Sequence, residues 1–507
     1  MAGQPREEAY DAIVVGAGLG GLSAGAILSR TGKKVLIVDR QDGPGGNAHA
    51  FKRGPYTFDP AIHVTAHGFN IEFLDMYLAA LGIQDRVDLM MLEPYHTVIV
   101  GDERYTIPIG VDNVVEYMGE QFPGEGDNVR NYIEICAETT RQSQRPPPRV
   151  GVADLDALMA ELPLLFKYRM STVADVMDDY VKDPMARAVC SALWPYLALP
   201  PSKLSFMAYT GVYMAFMDPG PVYTRGSFQS LADGLVAPVE EGGGEVLLNT
   251  TVTSILVEDG KVGGVELEGG HEVRAPVVVS NADARQTFDN LVGEEHLPER
   301  YMKKLRRMKP SLSAYMVYSA TTLDIPATGL AHEVMVYDHP DHERTYEEVL
   351  EGKIGGTWLS LPTIHDQSLA PEGEHIVTFT SLMPYGAASD WGAEKDRFKE
   401  EMLDRIARIL PGYKDNLTFV DTATPATFEH YTLAREGAIY GWENTPNQTV
   451  PKRLEPVTPI EGLFLAGHWT HPGCGSVRCL LSGAGTAAEI TGADDPISLL
   501  GSLFAAA

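Results

Sequence analysis

The chain is predicted to be an α/β protein: a Rossmann-type domain interleaved with a second, mixed-sheet α+β domain. Three observations lead there. An apolar run rich in β-branched residues, DAIVV at 11–15, passes directly into the glycine-rich turn GAGLGG. A second such run, KVLIV at 34–38, follows one helix later, which makes a strand–helix–strand unit of about thirty residues. Far downstream, IEGLFLAG at 460–467 repeats strand and glycine turn before the small-residue helix VRCLLSGAGTAAEI at 477–490. Short, wholly apolar runs of this kind suit a parallel sheet buried on both faces.

Taken in order, the helix LSAGAILSRTG after the first turn ends at Gly32, a residue suited to the left-handed cap. Residues 70–220 change character to amphipathic helices rich in Met, Tyr and Phe. They are interrupted by RQSQRPPPR at 141–149, where Pro146, Pro147 and Pro148 exclude a helix and predict a loop or linker. Strands return at 245–280 (EVLLNTTVTSILVEDG, KVGGVELEGG, PVVVSN), with Asp259-Gly260 as a hairpin turn. Residues 311–440 are again mixed. A chain of 507 residues is too long for one compact core. The expected division is 1–90 with 225–295 and 445–507 as the nucleotide-binding domain, and 91–224 with 296–444 as the substrate domain.

Composition narrows the partners. A net charge of −29 repels nucleic acid and anionic lipid. Four scattered cysteines, Cys136, Cys190, Cys474 and Cys479, form no disulfide framework and no metal-binding pair, so no metal is expected. The N-terminus lacks an apolar signal core, so the expected compartment is the cytoplasm and the Asn-x-Thr triplets at Asn249, Asn416 and Asn447 are chance matches. No apolar run is long enough to span a bilayer. The tail ISLLGSLFAAA is read as a helix packed on the core or a frayed end, with contact to a membrane surface as the alternative.

The chemistry starts at Gly16, Gly18 and Gly21, the G-x-G-x-x-G pattern. The first glycine permits the turn, the second lets backbone approach a diphosphate, and the third lets helix and strand pack closely. The diphosphate then meets free N–H groups at a helix N-terminus. With 50 glycines in the chain the pattern alone is weak, but Asp39 closes the second strand where a carboxylate takes ribose hydroxyls. The same carboxylate repels a 2′-phosphate, which disfavours NADP. A second glycine-rich stretch, with Gly43, Gly45 and Gly46, follows directly and suits a longer, extended cofactor: FAD. The turn at Gly467 and the helix after it then aim an N-terminus at the flavin, where negative charge develops on reduction.

These segments resemble the phytoene desaturase family of flavoproteins, which includes carotenoid desaturases, carotenoid isomerases and retinol saturases. The matching stretches are GAGLGGLSAGAILSRTGKKVLIVDR, GGNAHAFKRGPYTFDPAIH, GLVAPVEEGGGEVLLNTTVTSI, VVVSNADA and LFLAGHWTHPGCGSVRCLLSGAGTAAEI, about a third of the chain. GGNAHAF and FDPAIH are most similar to the retinol saturase and isomerase branch. The sequence departs from many relatives at Asn47, at Pro60-Ala61 and at His468, which bears on detailed flavin contacts. The resemblance implies a glutathione-reductase-like FAD domain, an elongated apolar substrate and peripheral membrane contact. It extends the cofactor contacts to Gly20, Arg40, Asn47, Ile62, His63 and Val252, and near the C-terminus to Gly467, His468, Ser476 and Val477.

His63 and His471 are the candidate catalytic residues, as groups that could tune or protonate the flavin; each could equally be a structural histidine. His49 and His67 are weaker candidates. Arg478 could hold a polar substrate end or a core carboxylate, and Cys474 with Cys479 could form a redox pair or be small buried thiols. Met207, Tyr209, Tyr213, Met214 and Phe216 are candidate walls of an apolar tunnel, as is the run YMVYSA; such stripes are also ordinary core. The function expected is FAD-dependent desaturation, saturation or isomerisation at C–C bonds of an isoprenoid or polyene, with quinone, O2 or nicotinamide as the open electron partner. Two alternatives stand: an amine oxidase, with Trp469 and Tyr440-Gly441-Trp442 caging the flavin, and a non-enzymatic prenyl-binding protein of the GDP-dissociation-inhibitor type.

Overall fold

A computed structural model describes residues 4–68, 73–144 and 155–506. The triple-proline break at 146–148 lies outside them. The five strands Glu245–Leu247, Val35–Val38, Ala12–Val15, Val278–Ser280 and Leu463–Leu465 form, in that spatial order, an all-parallel sheet. Val14 lies beside both Ile37 and Val279, and Val279 beside Phe464.

Alternate residues of these strands enter two different cores, as the period of a strand demands. Ala12, Val14, Val35 and Ile37 face a helical layer made by Leu19–Arg30, Gln229–Glu241 and Ser476–Thr491. Ile13, Val15, Leu36 and Val38 face an antiparallel sheet of Val252–Glu258, Lys261–Leu267 and His271–Arg274. The turn of that sheet is Asp259-Gly260, both at positive φ (50° and 78°), the conformation a two-residue hairpin requires. Helix Leu19–Arg30 ends as expected, with Gly32 at φ 88°.

A second, seven-stranded mixed sheet has the order Leu417–Ala423, Ser313–Thr321, His375–Met383, Thr357–Ser360, Glu333–Tyr337, His96–Val100, Glu103–Ile107. The only parallel pairing among these strands joins Glu333–Tyr337 to His96–Val100. One face carries Tyr315, Val317, Leu359 and Phe379 and is covered by helix Trp391–Ile409. The other carries Met316, Tyr318, Trp358, Met335 and Val98, and faces the nucleotide-binding layer and a bundle containing Val111–Gln121, Gly126–Ser143 and Phe206–Met217. In the run YMVYSA, Met316 and Tyr318 therefore point inward and Tyr315 points away.

The chain passes between the two large sheets four times, before residues 96, 245, 313 and 463. The tail forms helix Pro496–Ala506, which seats Leu499 and Leu500 against helix Phe73–Leu81 and leaves Ile497 and Phe504 exposed. The packed-helix reading of the tail holds for its inner face.

Because the edge strand Leu463–Leu465 and the buried Leu480, Ala484 and Ala487 come from the last fifty residues, a chain ended before 460 loses part of both sheet and core. Each large buried side chain lost costs about 2–5 kcal/mol. The expected outcome is a protein without a cooperative thermal transition. A melt at the full-length temperature would show that the sheet closes without its fifth strand.

Candidate cofactor and substrate site

The glycine turn sits at the carboxyl end of the parallel sheet, where three chain segments meet almost without side chains. Gly18 caps helix Leu19–Arg30 with no side-chain hydrogen bond, so the helix N-terminus is open to an anion. A Cβ on Gly20 would lie 2.6 Å from the Gly467 Cα, and one on Gly18 would lie 2.5 Å from Asn281 Nδ2. Gly21 abuts the Gly16 carbonyl. Gly45 donates to the Ala17 carbonyl at 2.8 Å, and Gly46 stacks on Gly18. The second glycine-rich stretch is thus laid along the first, and both border one backbone-lined cradle. Asn281, which ends strand Val278–Ser280 and donates its N–H to the Val15 carbonyl, wedges its amide between these glycines. Sequence reasoning quoted its segment, VVVSNADA, but did not single it out; a polar residue directly after a buried strand was the available signal.

Asp39 closes strand Val35–Val38. Its carboxylate accepts from the Ala17 N–H at 2.6 Å and the Gln41 N–H at 2.8 Å. Burial raises its pKa, and those two hydrogen bonds act against the rise. A carboxylate has about four acceptor sites, so capacity remains for ribose hydroxyls. Residues 249–250 run beside it, and Val252 starts the adjoining hairpin in the core below. Arg40 is turned away: its guanidinium donates to the His430 carbonyl. Asn47 is half-buried behind Gly46.

The 59–66 segment forms the opposite side. Asp59 is buried and accepts from the Tyr223 hydroxyl and the Phe228 N–H. Burial raises its pKa to about 7. His63 is buried with Nε2 unpartnered, and burial lowers its pKa to about 4, so at neutral pH it is an uncharged imidazole. Its carbonyl lies 3.1 Å from Nε2 of His332, a second buried neutral histidine. Next in sequence, Glu333 is fully enclosed. Its Oε2 accepts from the Tyr196 hydroxyl at 2.6 Å; its Oε1 makes no hydrogen bond and lies 3.8 Å from His332 Nε2. Burial raises its pKa to about 8. Tyr318, on the same face of the sheet, ties the 59–66 segment down by donating to the Pro60 carbonyl at 2.6 Å. Glu333 and His332 lie in a region read only as mixed; nothing in their local sequence sets them apart. Ile62 and Val64 keep part of their surface open inside the molecule.

From the C-terminal side, Gly467 stands at φ 92° against Asn281, and Ser476 opens helix Ser476–Thr491 with its hydroxyl on Thr65. Val477 is half-buried beside it, and His468 has its pKa lowered to about 4 by burial. His471 leaves Nε2 unpartnered but is surrounded by Arg453, Glu455 and Lys304, apart from the His63 cluster. Arg453 is buried and donates to the carbonyls of Trp442, Gln448 and His468, which ties the turn together. Trp442 and Trp469 pack edge to face at 4.8 Å within the core under the parallel sheet; of the aromatics expected to cage a flavin, Tyr440 alone is half-buried. Cys474 and Cys479 are free, and burial pushes the Cys479 thiol up to about 12, the state of an inert thiol. His67 pairs with Asp75, and His49 leans toward Asp42.

Helix Phe206–Met217 separates its bulky residues from its open face. Tyr209 and Tyr213 stack at 5.4 Å, with the Tyr209 hydroxyl on the Cys190 carbonyl. Met214 is wholly buried, and Phe216 packs between Tyr95 and Tyr196. The stripe with residual open surface is Met207, Gly211, Val212 and Ala215, spaced as one helix face. Of the five wall candidates only Met207 lies on it.

The ionisation of Glu333 gives a measurable consequence. Between its ordinary value of 4.5 and its folded value of about 8, the folded protein keeps a proton that the unfolded chain releases. Its contribution to stability therefore falls as pH rises through that window, by at most about 1.4 kcal/mol per pH unit. Glu333→Gln is expected to raise the melting temperature relative to wild type at pH 9, and to raise it much less at pH 5. An equal difference at both pH values would contradict a buried, protonated carboxyl. His63 acts with the opposite sign, losing stability as pH falls below its ordinary 6.5 toward 4.

Comparison with known proteins agrees with this geometry. Residues 19–491 match the family model described as flavin containing amine oxidoreductase. The chain is 26% identical to an all-trans-retinol 13,14-reductase of Danio rerio, over 91% of this chain and 82% of that protein. It is 28% identical to a neurosporene-forming phytoene desaturase of Rhodobacter capsulatus, over 96% and 94%. In fold it resembles an oxidoreductase from Methanosarcina mazei, with a TM-score of 0.67 at 16% identity, over 95% of this chain and 99% of that one. The glycine turn fits the cofactor of such proteins: its helix N-terminus is uncapped and open to a diphosphate, and the segments around it approach too closely for a Cβ at Gly18, Gly20 or Gly467. The chain is an FAD-dependent oxidoreductase and belongs to the family of flavin-containing amine oxidoreductases.

Proposed function

We propose that the protein oxidises, reduces or isomerises a carbon–carbon bond of an apolar, polyene or isoprenoid substrate. The observation that supports this most is the apolar open stripe of helix Phe206–Met217, with Met207, Val212 and Ala215 on it. Such a wall excludes water and offers a long hydrocarbon dispersion contacts along its length. The two relatives named above act on a retinoid and a carotene precursor by their names. Bound FAD supplies hydride transfer. This chain's residues do the rest. Glycines 18, 20, 46 and 467 seat the diphosphate, and Asp39 holds the ribose. His63 stays uncharged, and Tyr196 with Glu333 holds a proton at the edge of the open space. The unit boundaries at 90, 225, 295 and 445 belong to the same reading, as does peripheral membrane contact through the exposed Ile497 and Phe504. No helix among the described residues is long and apolar enough to cross a membrane.

The test follows the flavin band of the purified, flavin-loaded protein under anaerobic conditions, with polyenes and amines offered to the oxidised form and polyenes and quinones to the reduced form. A polyene that reoxidises the flavin, or is isomerised by it, is the expected result; response to amines alone would turn the assignment to an amine oxidase. Val212→Asp should keep its FAD and lose polyene turnover, because a charge in that wall costs several kcal/mol to desolvate. Tyr213→Asp, in packed core, should unfold or release FAD. Asp39→Ala is expected to weaken FAD binding by about 1.5–3 kcal/mol, with turnover at saturating FAD nearly unchanged; undiminished affinity would move the ribose contact elsewhere.

A further inference from the structure

Arg478 lies on the first turn of helix Ser476–Thr491, facing helix Phe206–Met217. Arg478 is half-buried, and a single hydrogen bond holds its guanidinium, from Nη2 to the Ala208 carbonyl at 3.2 Å. The residue opposite is Gly211, where any Cβ would collide with Nη2, so the glycine makes the room the arginine occupies. Among the described residues no carboxylate lies within ion-pair distance of Arg478. A second guanidinium, that of buried Arg453, is close enough to be affected by its charge; the partners of Arg453 are the neutral carbonyls described above and the side-chain oxygen of Asn444. The helix that carries Arg478 starts at Gly475, with no side-chain cap and no acidic residue in its first turn. Three sources of positive potential therefore lie together: half-buried Arg478, buried Arg453 and an uncapped N-terminus.

A cation partly withdrawn from water is ordinarily paired, because an unpaired one loses part of the solvation it had. The cofactor diphosphate does not supply the missing charge. The glycine turn meets this helix at Gly483, five residues or about 7.5 Å further along its axis. The Arg478 side chain points instead across to Ala208 and Gly211, on the open apolar stripe. The helix N-terminus can serve the flavin, but an anion that meets the Arg478 guanidinium on the Gly211 side lies with whatever occupies that stripe.

We propose that the substrate is an apolar chain ending in a carboxylate, and that Arg478, in the space Gly211 leaves, binds that carboxylate by charge-assisted hydrogen bonds. This rests on the reading of the stripe as a substrate wall and names the end of the molecule that lies along it. An arginine suits the task because its planar fork meets a carboxylate with two parallel N–H donors, while the wall beside it accepts only hydrocarbon. The site thereby selects an amphiphile in a single orientation and sets which carbons are presented to the reaction.

The test measures dissociation constants by perturbation of the flavin spectrum of the holoenzyme, with two matched pairs: retinoate against retinol, and palmitate against hexadecanol. In the wild type each acid is expected to bind at least tenfold more tightly than its alcohol. The preference should fall below twofold in Arg478→Gln, return in part in Arg478→Lys, and shrink in Gly211→Ala, which crowds the guanidinium without removing its charge. Equal binding of acid and alcohol by the wild type overturns the proposal, and needs no variant to fold. So does an acid preference that Arg478→Gln leaves intact. A shifted flavin midpoint potential in Arg478→Gln with an unchanged acid preference would place the guanidinium on the cofactor and overturn it as well. The two readings separate cleanly. Preference for both acids without polyene turnover sustains the carboxylate site and removes the polyene, whereas polyene turnover without acid preference does the reverse.

Discussion

The close approach of backbone at the carboxyl end of the parallel sheet is the constraint on which the rest of this structure depends. Gly18, Gly20 and Gly467 come together around the side chain of Asn281, with room for no Cβ at any of the three. The contact joins the first strand–helix turn, the end of strand Val278–Ser280 and the end of strand Leu463–Leu465. These segments are more than two hundred and fifty residues apart at the first step and nearly two hundred at the second, so one contact ties the chain together over most of its length. It also leaves the surface a diphosphate needs: an uncapped helix N-terminus with its N–H groups and dipole. Fold and cofactor site are here a single packing solution.

Above this cradle the molecule places an unusual number of titratable groups where water does not reach. His63, His332 and His468 are held neutral by burial, and Glu333 and Asp59 are pushed toward their protonated forms. The common direction has one cause: a low-dielectric interior penalises whichever form carries charge. Arg478 departs from this pattern. Its guanidinium keeps its charge in proteins, and that contrast singles it out.

In the helix Phe206–Met217, composition and residual exposure pick out different residues. Composition drew attention to its tyrosines and methionines as large apolar surfaces. In the structure the large side chains Tyr209, Tyr213 and Met214 fill the helical core, and Gly211, Val212 and Ala215 keep part of their surface exposed. Space for a ligand is created where side chains are small, and a sequence read for apolar bulk misses it.

Local patterns carried much of the fold. The strand–glycine turn–helix unit, the carboxylate at Asp39, the Asp259-Gly260 hairpin and the returning C-terminal strand were all legible, because each depends on steric and hydrogen-bonding needs met within a few residues. The same holds for the cofactor, whose backbone-lined cradle must be written in glycine. Tertiary structure alone decided the substrate side. Glu333 meets Tyr196, His332 meets the carbonyl of His63, and Arg478 meets Gly211, across separations of 137, 269 and 267 positions. No periodicity or motif marks such partners, since a side chain's burial, charge state and freedom to bind a ligand are set by what other segments bring up against it. The sequence by itself determined that a flavin would be held and by which backbone; the packing of distant elements determined what would lie beside it, because only packing removes water and leaves a charge without a partner.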